Sequence, residues 1–104
     1  MIIYNTTFHI HKEILAECLA FLKSQYIPRA AASGLLHEPF LRRIMNSENE
    51  EGESYSVQFH TQDMASLNQW LRQEGGALQQ ELVGRYKEKI VGFSTLLEEI
   101  ELND

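Results

Sequence analysis

A chain of 104 residues with 43% apolar side chains is long enough for one core and too apolar for disorder. Fifteen acidic against nine basic side chains give a net charge of −6, which repels phosphate backbones and anionic lipid, so neither nucleic acid nor a membrane is an expected partner. The apolar runs are too short to span a bilayer, Met1-Ile2-Ile3-Tyr4-Asn5-Thr6 does not read as a signal peptide, and the lone Cys18 suits a reducing cytoplasm.

Ile2 to Ile10 reads as a strand, with Tyr4, Thr6, Phe8 and Ile10 on one side and Ile3, Asn5, Thr7 and His9 on the other. From Lys12 the period changes: Ile14, Leu15, Cys18, Leu19, Leu22 and Tyr26 recur at helical spacing. Pro28 prevents a simple continuation but can open a short turn through Arg29 to Ser33, which Gly34 ends. Leu35 to Met45 is a second strand whose larger apolar groups are Leu36, Phe40 and Ile44. Pro39 within it cannot donate to a ladder and predicts a sheet edge. Asn46 to Glu53 is polar, contains Gly52 and reads as a hairpin loop, with Glu48, Glu50, Glu51 and Glu53 at a solvated tip.

Ser54 to His60 is a third strand, Tyr55, Val57 and Phe59 alternating with Ser56, Gln58 and His60. Thr61 can cap the next helix, with Asp63 in its first turn and Met64, Leu67, Trp70 and Leu71 as its buried stripe. Gly75-Gly76 interrupts that helix, and Leu78, Leu82, Val83 and Tyr86 resume the period. Ile90 to Leu102 is a long final strand in which Val91, Phe93, Thr95 and Leu97 alternate with Gly92, Ser94 and Leu96. The order strand, helix, strand, strand, helix, strand predicts a single α+β domain over residues 1–104. It is the ferredoxin-like βαββαβ type, a four-stranded antiparallel sheet with the first and third strands central and helices on one face. The other face keeps apolar residues, and covering it with a second copy gives a homodimeric α/β-barrel.

Met1-Ile2-Ile3-Tyr4-Asn5, Tyr26-Ile27-Pro28 with Ser33-Gly34-Leu35, Tyr55-Ser56-Val57-Gln58-Phe59 and Phe93-Ser94-Thr95-Leu96-Leu97-Glu98 resemble a bacterial family of short proteins classed as a domain of unknown function. The resemblance implies a dimeric ferredoxin-like barrel and no established activity. More distantly, the architecture is similar to antibiotic-biosynthesis and haem-degrading monooxygenases.

The resemblance to the haem-degrading enzymes implies a strand asparagine, a tryptophan and a histidine ten residues beyond it. Asn5 and Trp70 match, but Gln80 stands at the third position, and an amide is no practical ligand for haem iron. Trp70 on an apolar stripe reads more simply as core. His9 and His11 have a ligand-like spacing, and His37 and His60 lie on hairpin-paired strands. His9 and His60 fall at opposite ends of antiparallel strands, and two histidines without a nearby carboxylate make a poor site, so no metal and no cofactor are expected. Asn5, Thr7 and His9 share a face with Ser56, Gln58 and His60, a polar strip lining either a small-molecule cavity or the dimer interface. Asn5, His9 and Trp70 are the candidate catalytic residues, with His9 the natural acid–base group. Cys18, mid-helix on the apolar stripe, reads as a small hydrophobe. The expected function is an uncharacterised homodimeric module that binds a small ligand or a protein partner. The alternative is a small cofactor-independent monooxygenase-like enzyme acting on an aromatic metabolite.

Overall fold

The computed structural model describes residues 1–46 and 49–103; Glu48 of the acidic hairpin loop lies outside the described residues. Strands β1 (Ile2–His11), β2 (His37–Arg43), β3 (Gly52–Thr61) and β4 (Ile90–Glu98) form one antiparallel sheet in the order β2-β3-β1-β4. This is the ferredoxin-like arrangement, with β1 and β3 central and the Pro39 strand at an edge. In register, Asn5 faces Gln58, Thr7 faces Ser56 and His9 faces Ser54. The alternation of β1 holds: Thr6, Phe8 and Ile10 are buried beneath the helices, while Asn5, Thr7 and His9 are only half-buried on the opposite face.

The first helical segment runs through α1 (Leu15–Phe21) into α2 (Ile27–Ala31) without leaving helical geometry. Between them, at Leu22–Tyr26, the ladder widens, and the Ile27 N–H reaches the Leu22 carbonyl five residues back. A proline inside a helix lacks one donor and its ring presses on the carbonyl four residues earlier. The wide turn just ahead of Pro28 relieves that contact, so the helix passes through the proline.

The second segment repeats the device. α3 (Met64–Trp70) leads through a wide turn at Leu71–Gly75 into α4 (Gly76–Tyr86), with the Gly76 N–H on the Leu71 carbonyl. The expected interruption at Gly75-Gly76 is therefore a local change of pitch. Gly75 is buried against the Trp70 ring, and a Cβ there would sit 2.7 Å from Trp70 Cζ3. The cap also differs from expectation. Asp63, not Thr61, receives the Ser66 N–H at 2.8 Å, and that bond holds its carboxyl below the usual range. Thr61 is fully buried, and its hydroxyl donates to the Leu35 carbonyl at 3.0 Å.

Two strands are shorter than their patterns suggest. β2 begins at His37, and an irregularity between His37 and Phe40 places three steps of β2 against two of β3. Glu38 takes φ +52° there. The extra residue reverses the parity, so Leu36 is fully buried while Phe40 faces the open side. β4 stops at Glu98 because its partner ends: Ile2 faces Glu98, and the last bond runs from the Glu99 N–H to the Met1 carbonyl at 3.1 Å. No described helix is long and apolar enough to cross a membrane.

Gly75→Ala should lower stability by about 1–3 kcal/mol, the usual cost of overpacking, because the rigid Trp70 ring cannot retreat. Urea unfolding followed by Trp70 fluorescence measures it. A loss within a few tenths of a kcal/mol would contradict the close packing of Gly75 on the ring.

Candidate functional site

The structure separates the three sequence candidates. Trp70 is 1% exposed, donates from Nε1 to the Ala30 carbonyl at 2.8 Å, and meets the Tyr4 ring edge-on at 5.8 Å between centroids. It ties the second helical segment to the first and to the sheet. Asn5 and His9 lie on the opposite, helix-free face. There the polar strip is bonded within itself. Asn5 donates to the Thr7 hydroxyl at 3.2 Å and accepts from Ser56, and His9 Nδ1 lies 2.9 Å from the Ser54 hydroxyl. Gln58 Oε1 accepts from Arg42 at 3.1 Å.

His37 and His60 do approach each other, with ring centroids 6.2 Å apart. A carboxylate stands nearby after all: Glu38 Oε2 is 3.0 Å from His60 Nδ1, brought round by the irregularity at Pro39. Among the described residues no three His, Cys, Asp or Glu side chains gather as a metal site.

The concavity lies elsewhere. A cavity of about 300 Å³ opens between the helix-facing side of β1 and β4 and the second helical segment. Tyr4, Thr6, Phe8, Tyr26, Gln79 and Ser94 line it, and Leu71, Val83 and Phe93, all well exposed, border it. None of Asn5, His9 or Trp70 does. Its floor is a row of hydroxyls, Thr6 Oγ1 at 3.2 Å and Tyr4 Oη at 3.4 Å from Ser94 Oγ. The Tyr26 ring stands perpendicular to Phe8 at 5.9 Å, and burial, with Tyr4 nearby, pushes its phenol far above the usual tyrosine range. The lining's only ionisable side chains are these two tyrosines.

The cavity exists because one inner row is small. On β3 the residues facing the helices are Tyr55, Val57 and Phe59, whereas on β4 they include Gly92 and Ser94. A Cβ on Gly92 would sit 2.8 Å from Phe8 Cδ1, so the ring already occupies the space of a side chain there. That asymmetry was available in the alternation of the last strand, but pairing was needed to show that nothing larger fills the gap.

The chain belongs to the family described as a domain of unknown function, DUF4286, whose model matches residues 1–100. Among curated proteins, none matches its sequence. Among solved structures, it is similar to a putative antibiotic biosynthesis monooxygenase from Deinococcus radiodurans, at TM-score 0.72 and 13% identity over 100% of this chain and 97% of that one. A MhuD mutant with two manganese protoporphyrin IX groups per active site matches at TM-score 0.62 and 17% identity, covering 100% and 97%. A dimeric ferredoxin-like protein from an uncultured marine organism matches at 0.58 and 13%, covering 95% and 97%. These likenesses establish the fold; the chain is a ferredoxin-like domain of unknown function.

Cys18 has no part in this site. It is fully buried, and desolvation, with Glu17 nearby, raises its thiol from 9.0 to about 11. The thiol form is thus the one the fold favours. Below pH 9 both folded and unfolded chains keep the proton; above it the unfolded chain loses the proton first, so stability falls until about pH 11. At pH 8 the native protein should resist an aromatic disulfide reagent that labels the urea-unfolded chain within minutes. Between pH 9 and 11 Cys18→Ala should lose less stability than the parent chain. Rapid native labelling at pH 8 would show that the thiol is accessible.

Proposed function

We propose that this protein is a homodimeric, cytoplasmic α/β-barrel module acting as one domain, whose cavity holds an uncharged small molecule. The observation that carries the reading is the lining: aromatic rings, a row of hydroxyls and an amide, with no carboxylate, amine, guanidinium or imidazole among them. Such a wall offers hydrogen bonds and apolar contact but no counter-charge, so a charged ligand would lose its hydration without compensation. Acid–base catalysis needs a group titrating near neutrality within reach of the substrate. His9 lies on the other face of the sheet, which favours binding over the monooxygenase-like alternative.

The dimer is supported by the helix-free face. Ile3, Phe40, Val91, Phe93 and Leu97 leave it rich in apolar surface, with Phe93 65% and Val91 58% exposed. Apart from Glu38, which lies against His60 at the irregularity of β2, the described strand positions of that face carry no carboxylate, although the chain as a whole is strongly acidic. Two acidic molecules therefore approach with least repulsion through it. The polar strip is already paired internally, which limits the cost of covering it.

Gel filtration with light scattering should give about twice the 12.0 kDa chain mass at micromolar concentration. A monomer there would overturn the dimeric reading. For the cavity, 1-naphthol should quench Trp70 emission through the neighbouring Tyr4 wall, and 1-naphthoate, its charged analogue, should not. Ser94→Leu, which fills the floor and removes its central hydroxyl, should abolish the response. Quenching by both probes, or by neither, or an unchanged response in the variant, would reject the neutral-ligand reading.

Haem offers a separate test, because Gln80 is exposed on α4 and carries no imidazole. Added haem should give no stoichiometric axial-ligand band and no loss of absorbance with reductant under oxygen. If a band forms, its disappearance in His9→Ala or in His60→Ala would identify the ligand and reverse this expectation.

A further inference from the structure

Most of the basic side chains near the sheet are already neutralised. Arg29 bonds both Glu81 oxygens at 2.9 and 3.1 Å, Lys89 meets Glu13 at 2.8 Å, and Arg43 lies 3.5 Å from Glu53. Arg42 differs. It stands on the helix-free face, its guanidinium 4.2 Å from the Phe40 ring centre and bonded to the neutral Gln58 amide. Among the described residues no carboxylate reaches it. A second copy laid on that face would bury a cation against a surface whose one described strand carboxylate, Glu38, already lies against His60, and an unpaired buried charge is costly.

The acidic groups available lie just past the end of β4. Glu99 still bonds the Met1 carbonyl through its N–H, so the chain is extended there, and continuing the alternation puts Glu99 and Glu101 on the side of Val91, Phe93 and Leu97. Both are exposed, as are the apolar Ile100 and Leu102 beside them. The geometry allows a symmetric match. Arg42 is level with Ser56, Thr7 and Phe93 across the sheet. From Arg42 to Glu99 is three strand spacings, about 14 Å, across the sheet and six residues, about 20 Å, along it. The midpoint falls at the seam of β3 and β1, level with Tyr4 and Phe59. A two-fold axis passing there stacks one sheet on the other and brings each Arg42 to the other copy's Glu99.

We propose that Arg42 of each protomer forms an ion pair with Glu99 of a second copy of this chain, so that the tail beyond β4 clamps the partner's β2 edge. This rests on the dimeric reading above and specifies what holds that dimer in register. The occupant of the helix-free face is then this chain itself, because the face supplies one half of the pair and its own tail the other.

Sedimentation velocity across a concentration series, at low and moderate salt, tests it on the full chain. Arg42→Glu should weaken dimerisation at least about tenfold, Glu99→Arg by a similar factor, and the two together in one chain should restore it to within about threefold of the parent. Far-UV circular dichroism confirms that each variant is folded. A parent dimer unaffected by Arg42→Glu, or a double variant as weak as the single ones, would overturn the ion pair while leaving the dimer standing. A parent chain that stays monomeric would overturn both.

Discussion

The alternation of β1 is the constraint on which the rest of the molecule depends. This strand is paired on both sides, with β3 and with β4, so its register is fixed twice. Its even-numbered residues from Tyr4 to Ile10 meet the helices, and its odd-numbered ones from Ile3 to His9 form the middle of the free face. A slip of one residue would place Asn5, Thr7 and His9 under the helices and Phe8 and Ile10 in the open. The Trp70 indole sets the helices over that strand, edge-on to Tyr4 and bonded to the Ala30 carbonyl. One buried side chain thereby joins both helical segments to the central strand.

Given that frame, the two faces of the sheet take different work. The covered side has the cavity, confined to the β4 half, where Gly92 admits the Phe8 ring and Ser94 is small, while Tyr55, Val57 and Phe59 fill the β3 half. The free side has the hydrogen-bonded strip, flanked by Phe40 and Arg42 on β2 and by Val91 and Phe93 on β4. A polar strip between apolar margins fits a covered interface better than a ligand wall, since its groups already satisfy one another.

Most of the fold was legible because its strands and helices have clean periods, and Pro39 marked its own edge. The departures occur where backbone pairing overrides side-chain pattern. The irregularity at Pro39 reverses the parity of β2, so the shared spacing of Leu36 and Phe40 misleads: one is core and the other faces outward. The wide turns before Pro28 and across Gly75 keep helices running where local propensity stops them. Thr61 and Asp63 are both good caps by type, and only the bond from the buried Thr61 hydroxyl to the Leu35 carbonyl decides that Thr61 is needed elsewhere. The candidate site was less legible. Parity correctly grouped Asn5, Thr7 and His9, but a cavity is an absence of side chains, and absence has no periodicity. Its one trace was the pair Gly92 and Ser94 opposite Phe8 and Thr6.

The hydroxyl row gives the cavity a further physical property. An apolar void of this size can stay dry, whereas a floor of Thr6, Ser94 and Tyr4 hydroxyls offers water hydrogen-bonding partners. A ligand therefore displaces water rather than filling vacuum, and it gains affinity only where its own polar atoms replace the bonds that water made. A molecule with one hydroxyl or keto group against the floor and a flat apolar body along Phe8 and Tyr26 meets that condition. A wholly apolar molecule strands the floor, and a charged one strands itself, because the raised Tyr26 phenol stays neutral across the physiological range. The selectivity proposed for the cavity would thus follow from the same contrast that shapes it, small residues on β4 where β3 carries large apolar ones.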